Sequence, residues 1–130
     1  MKLRSTVIVC SLLLSGITAQ AGDDPSIKGE LRVNIQKSMQ AYIDSHIVDG
    51  AYWYYDGVTG ALLKLEFEKL HAGIVNKGPF YVSCADFSTP DGQILDMDFL
   101  VVSGENGLIA VQGFVHKMDG KKRPYDFEAE

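Results

Sequence analysis

Two hydrophobic periodicities divide the chain near residue 50. From residue 25 to residue 48, apolar positions recur every three or four residues, which is the spacing of an amphipathic helix. Asp24-Pro25 offers an N-cap acceptor followed by a proline at the first helical position, and Asp49-Gly50 closes the pattern. The spacing therefore predicts a single helix over residues 25–48.

After residue 50 the apolar period falls to two, which indicates strands with one buried face. Five segments show this alternation, at residues 51–55, 63–68, 80–88, 94–102 and 108–117. A loop at 72–79 contains two glycines and a proline, and the tail from residue 119 is polar. We expect an α+β fold in which the N-terminal helix packs on a meander of four or five antiparallel strands, because this buries both apolar surfaces.

One helix followed by antiparallel strands, over residues 25–117, resembles the cystatin-like and NTF2-like architectures. The resemblance rests on the order of the elements. Cystatin-like inhibitors carry a Gln-x-Val-x-Gly loop that this chain lacks, so the resemblance does not imply protease inhibition. An NTF2-like domain with a cavity would imply a small enzyme as one alternative function, although domains of this shape host many unrelated activities.

The first 21 residues have the organisation of a secretory signal peptide. Lys2 and Arg4 form a short basic region, residues 7–14 are apolar, and Ala19-Gln20-Ala21 fits the cleavage motif. The sequence therefore predicts cleavage after Ala21, a periplasmic or secreted protein, and one domain over residues 22–130. No integral membrane segment is expected after cleavage, because the apolar run is shorter than a membrane span requires.

Charge and cysteine content narrow the possible partners. The formal net charge is −5, and loss of Lys2 and Arg4 with the signal peptide makes it −7. This acidic balance argues against nucleic-acid binding, which needs a basic surface. Cleavage also removes Cys10, so Cys84 has no intramolecular disulfide partner. A lone cysteine in an exported protein is buried, bound to metal, reactive, or paired with another chain.

The segment at residues 89–93 (Thr-Pro-Asp-Gly-Gln) fits a three-residue hairpin that a left-handed glycine closes. This turn places Tyr81 opposite Val101 and Phe87 opposite Leu95. These paired residues are apolar and lie on the face of the hairpin that packs on the core. A two-residue turn would instead mix core and solvent positions on each face.

The segment at residues 104–108 (Gly-Glu-Asn-Gly-Leu) can form the same kind of turn. We then expect Val101 to face Val111 and Phe99 to face Gly113, which again gives an apolar core side. A type I′ turn centred on Asn106-Gly107 is rejected, because its register would mix core and solvent positions on each face of the strands.

The opposite side of these strands has a different chemistry. The two registers place Asp86 opposite Asp96, and Asp96 opposite His116, while Cys84 lies opposite Asp98. Two carboxylates in direct opposition repel and need a compensating cation. The candidates are protonated His116, a lysine of the neighbouring strand at position 64, or a bound metal.

These residues leave three interpretations open. Asp86, Asp96, His116 and Cys84 are the candidate ligands of a divalent transition metal, since carboxylate, imidazole and thiolate are ligands of such ions. The same residues also fit a solvated acidic face with one Asp–His pair. In the third interpretation Asp96 and His116 form an acid–base pair, but no motif places a nucleophile and we assign no catalytic residue. His71 and the histidine at position 46 are interpreted as structural.

An aromatic strand supplies a second candidate surface. Alternation puts residues 52 and 54 on one face and residues 53 and 55 on the other, and apolar residues follow on the outer face of the sheet. Packing against the helix is one explanation, and a ligand or partner surface is the other. Its residues are Tyr52, Trp53, Tyr54, Tyr55, Leu100 and Phe114. We expect a small exported binding module that self-associates or binds a protein partner through the outer face; a metal-binding accessory protein is the alternative.

Overall fold

The computed structural model describes residues 22–125, and the predicted signal peptide lies outside them. The single helix of this part of the chain precedes seven antiparallel strands, which follow one another in the sheet in chain order. The elements are α1 (Gly29–Ser45), β1 (Ile47–Val48), β2 (Ala51–Asp56), β3 (Ala61–Asn76), β4 (Tyr81–Ser88), β5 (Ile94–Gly104), β6 (Gly107–Met118) and β7 (Lys121–Lys122).

The predicted fold class is wrong, because the sheet has seven strands rather than the four or five of the cystatin-like or NTF2-like arrangement. Both additional strands, β1 and β7, depend on Asp-Gly dipeptides. Asp49 and Gly50 have φ values of 51° and 78°, and Asp119 and Gly120 have φ values of 48° and 76°. Positive φ at both central residues is the requirement of a two-residue type I′ hairpin. Each dipeptide therefore reverses the chain into a short extra strand.

The helix is shorter than the periodicity predicts. It begins at Gly29, because residues 24–27 form a separate turn in which the Asp24 carboxylate accepts a hydrogen bond from the Ser26 N–H at 2.9 Å. The positive φ of Gly29, 60°, separates this turn from the helix. At the other end His46 is the C-cap, and its N–H donates to the Ile43 carbonyl at 3.0 Å.

Strand β3 continues through most of the predicted loop at 72–79. Register shifts between Phe67 and Lys69 and between Leu70 and Ile74 allow a strand of this length to remain paired with β4. A Cβ atom at residue 73 would lie 2.5 Å from the carbonyl oxygen of Gly22, so only glycine permits the N-terminal segment to cross β3 at this point.

The register of β4 and β5 is confirmed. Tyr81 pairs with Val101 and Phe87 pairs with Leu95. In the turn, Gly92 adopts a φ of 89°, and the residue 89 N–H donates to the carbonyl of residue 93 at 2.9 Å. Proline and glycine at their characteristic positions are therefore sufficient to predict this hairpin.

The register of β5 and β6 is confirmed only in its middle. Phe99 pairs with Gly113 as predicted, but Val101 pairs with Ala110. The reason is a bulge between Leu100 and Val101, which leaves Val111 exposed and shortens the turn.

The main core lies between α1 and the inner face of the sheet. Its fully buried residues come from the helix and from strands β2 to β6, and they are Met39, Ile43, Tyr52, Leu65, Ala85, Phe87, Leu95, Met97, Phe99 and Val115. A Cβ atom at Gly113 would lie 2.6 Å from Phe99 Cε1, so the ring of Phe99 packs directly on the backbone of β6.

The sheet is strongly curved, because side chains of β2 contact the far end of the sheet. In a flat sheet, β2 and β6 would be about 19 Å apart, four strand spacings. The Val115 N–H nevertheless donates to the hydroxyl of Tyr54 at 3.4 Å, and Arg123 donates to Asp56 at 2.7 Å. The helix therefore lies on a concave face, and the polar candidates lie on the convex one.

Candidate metal centre

The centre of the convex face is formed by strands β4 and β5. Asp86 pairs with Asp96, and Cys84 pairs with Asp98, as the first register predicts. The burial of these residues is unusual for an outer face: Asp98 has no exposed surface and the side chain of Asp96 is 15% exposed. Charged groups in such positions require compensating partners.

His116 also lies beside these carboxylates, but the strand pairing that brings it there differs from the predicted pairing. The predicted pairing of Asp96 with His116 is wrong, because Asp96 pairs with Lys117. A bulge between Asp96 and Met97 sets two residues of β6 against one of β5, so His116 still approaches the carboxylates. Its Nδ1 lies 3.9 Å from Asp96 Oδ2 and 3.5 Å from Asp98 Oδ2, and the residue is fully buried.

His71 joins the group from β3, although its position in the sequence indicates only a structural residue at the end of a strand. Its Nε2 lies 2.8 Å from Asp86 Oδ1, and its Nδ1 lies 3.9 Å from Asp96 Oδ1. The two irregularities of β3 bring it beside β4, and no residue pattern in that segment signals them.

Cys84 is buried, and it forms no disulfide within residues 22–125. Its thiol donates a hydrogen bond to Asp98 Oδ1 at 2.9 Å. The thiol is therefore already directed at a carboxylate of the group.

Burial affects the ionisation of Asp96. Desolvation raises the pKa of its carboxyl above the ordinary value, although His71, His116 and Lys117 act in the opposite direction. Those three basic groups lie at distances of 3.8 to 3.9 Å from the carboxylate oxygens. Asp96 Oδ1 is a buried atom that accepts no hydrogen bond within residues 22–125. A negative charge at Asp96 is thus poorly compensated by the surrounding protein.

Two sets of ligand atoms meet in this group. One comprises His71, Cys84 and Asp96, and the other comprises Asp96, Asp98 and His116; within each set the atoms lie within 4.8 Å of one another. Of the predicted ligands, Cys84, Asp96 and His116 fall within these sets. Asp86 contacts His71 instead, and Asp98, which the sequence-based prediction does not name as a ligand, belongs to one of the sets.

The aromatic candidates lie elsewhere, along a groove of about 720 Å³ between β2 and β6. Tyr52 is buried in the core, Trp53 and Tyr55 are exposed, and Tyr54 is intermediate, so the predicted alternation is confirmed. Two outer-face residues, Leu100 and Phe114, also line the groove. Phe114 is only 7% exposed, and its ring packs against that of Tyr125 at a centroid distance of 5.1 Å.

Comparisons with protein families, curated proteins and solved structures give no match to this chain. Within residues 22–125, no helix combines the length and the apolar character that a membrane span requires. The site must therefore be interpreted from its own geometry.

Proposed function

We propose that this protein binds a divalent transition metal on the convex face of the sheet, and that zinc is the preferred ion. The observation that carries the proposal is the position of His71 between two carboxylates. Asp86 contacts Nε2 at 2.8 Å, and Nδ1 is left facing Asp96 Oδ1 at 3.9 Å.

The contact between His71 and Asp86 has the form that metal-binding histidines use. An ionised carboxylate only accepts hydrogen bonds, so the proton of a neutral His71 lies on Nε2 and the lone pair of Nδ1 is directed at the group. Metal ligands of this type donate their other ring N–H to a carboxylate, which fixes the tautomer and the ring orientation. Asp86, in this proposal, positions the ligand His71 and does not bind the metal.

The donor atoms fit zinc by type and by spacing. Imidazole nitrogen, thiolate sulfur and carboxylate oxygen are the three protein ligands of tetrahedral zinc. With bonds of about 2.0 to 2.3 Å, tetrahedral ligands are about 3.3 to 3.8 Å apart, and the His–Asp separations in this group are 3.5 and 3.9 Å. Small side-chain rotations would bring these atoms to coordination distance.

Zinc binding at Cys84 displaces the proton of the thiol. The thiol loses its proton as the Zn–S bond forms, and this proton is released to the buffer. The group is reached from the side of His71 and Asp86, whose side chains are 31% and 20% exposed, whereas Asp98 and His116 are fully buried.

The other functional predictions stay predictions. Self-association would need outer-face residues to be available, and Phe114 is covered by Tyr125 within the same chain. An Asp96–His116 acid–base pair would need space for a substrate, and the groove of about 720 Å³ is lined by residues of β2 and β6 rather than by this pair.

Isothermal titration of the metal-free purified protein with zinc tests the proposal. We expect saturable binding in which His71→Gln weakens the ion at the His71 position at least a hundredfold, and Asp86→Asn weakens the same ion about 10- to 100-fold, since Asp86 acts only through the histidine. The matched control is His46→Gln, because His46 is stacked on Tyr42 at 4.2 Å and belongs to neither ligand set. The proposal is overturned if zinc does not bind, or if His46→Gln weakens binding as much as His71→Gln does.

A further inference from the structure

From the same group of residues we infer a centre for two metal ions, with the carboxylate of Asp96 bridging them. This inference rests on the proposed metal-binding function and specifies how many ions the site takes. It follows from the directions in which the two oxygens of one side chain point.

The two oxygens of Asp96 face different histidines. Oδ1 lies 3.9 Å from His71 Nδ1, on the side of β3 and β4. Oδ2 lies 3.9 Å from His116 Nδ1, on the side of β6. A carboxylate that presents one oxygen to each of two nitrogen ligands has the arrangement of a bridge, and paired metal ions in proteins are about 3.5 to 4 Å apart.

The remaining donors fall in different sets, and the two sets touch where the Cys84 thiol donates to Asp98 Oδ1 at 2.9 Å. Cys84 belongs to the set with His71, and Asp98 belongs to the set with His116. Asp96 is the one residue that both sets contain. Each ion would therefore have three protein ligands and an open position for water, which is the coordination of a catalytic rather than a structural zinc site.

The charge of the group also matches two divalent ions. Asp86, Asp96 and Asp98 together with a Cys84 thiolate carry four negative charges when ionised. The nearest lysines compensate only weakly, since Lys69 Nζ is 3.6 Å from Asp86 and Lys117 Nζ is 3.8 Å from Asp96. Two divalent ions would supply four positive charges, and negative charge in a buried location is costly unless it is compensated.

Metal stoichiometry distinguishes one ion from two. The protein is dialysed to equilibrium against zinc, and the bound metal per chain is measured by elemental analysis. We expect two ions in the unmodified protein, one in His71→Gln and one in His116→Gln. Asp96→Asn should weaken both ions at least tenfold, because an amide replaces one oxygen with an NH2 group and leaves the other uncharged, so no anionic bridge remains. Asp44→Asn, an exposed aspartate on α1, is the control and should retain two ions.

Each outcome has a defined consequence. A single ion in the unmodified protein overturns the two-ion inference and leaves metal binding intact, whereas no bound ion overturns both. Loss of both ions in the single variant His71→Gln would also contradict the inference that the two ions occupy separate positions. If the buried His116 variant does not fold, the isosteric variant Asp98→Asn replaces it: this variant should keep the ion of His71 and Cys84 while binding at the other position weakens.

Discussion

Two aspartates of this protein whose side chains are at least 85% buried have opposite surroundings. Asp56, at the end of β2, accepts hydrogen bonds from the Val58 N–H, the Thr59 hydroxyl and Arg123 at 2.7 to 3.1 Å. Three basic groups lie 3.8 to 3.9 Å from the carboxylate oxygens of Asp96, and one of these oxygens is buried without a hydrogen bond in the described chain.

Their pKa values shift in opposite directions. Burial acts to raise the pKa of Asp56, but the hydrogen bonds of Thr59, Val58 and Arg123 outweigh it and the pKa is lowered. For Asp96, burial dominates and the pKa is raised. Neighbouring residues supply the Asp56 carboxylate with hydrogen bonds, whereas one oxygen of the Asp96 carboxylate has none in the described chain. Asp56 stabilises the curved sheet, and Asp96 is suited to an ion from outside.

The largest expected effect is on stability without metal. Asp56→Asn should lower the free energy of unfolding by about 3–5 kcal/mol, because it leaves the buried guanidinium of Arg123 without its counter-charge. Asp96→Asn should cost less than about 1 kcal/mol, since it removes a charge that burial already disfavours. Urea denaturation of the metal-free proteins measures both. Equal losses for the two variants would contradict the contrast between these aspartates.

The contribution of Asp56 should depend on pH. Its native-state pKa lies below the ordinary value of 3.8, so folding favours its ionised form. The stabilisation is fully present above the unfolded-state pKa and is lost as the pH falls through the native-state pKa. The difference in unfolding free energy between the unmodified protein and Asp56→Asn should therefore shrink below about pH 4. A difference that grows on acidification would exclude this explanation.

A smaller effect on the free energy of unfolding is expected from the neutral hydrogen bond that joins β2 to β6. Tyr54→Phe removes the hydroxyl that accepts from the Val115 N–H at 3.4 Å. The loss should be about 0.5–1.5 kcal/mol in urea denaturation, the usual net value of such a bond. Tyr55→Phe, whose residue is 64% exposed, serves as the control and should be neutral. A neutral Tyr54→Phe would show that this contact does not stabilise the curvature.

The parts of the fold that are predicted correctly depend on local chemistry. The hairpin of β4 and β5 follows from proline and glycine in its turn, and the register of that turn is enough to place Asp86 opposite Asp96. The short strands β1 and β7 are not predicted, although their Asp-Gly turns are local signals too. Asp49-Gly50 fits the end of the helix equally well, because the apolar period of the helix continues up to it.

The candidate site is predicted only in part. Cys84 and Asp96 follow from the confirmed register, whereas the approach of His116 depends on a bulge opposite Asp96 that the turn at residues 104–108 does not reveal. The position of His71 depends on two irregularities in β3 that no distinctive residue marks. Bulges arise from how neighbouring strands fit together, so a pattern within one strand does not show them.

The sequence by itself determined which residues alternate to the polar side of β4 and β5, because side chains of a strand point to opposite faces with a period of two. Only the tertiary structure decided that this polar side is buried. Curvature of the sheet joins Asp56 to Arg123 across its two ends, and bulges bring His71 and His116 to opposite oxygens of Asp96. Burial and the distances between donor atoms depend on contacts between residues far apart in the chain. For that reason a row of acidic residues in the sequence becomes, in the folded protein, a candidate centre for metal ions.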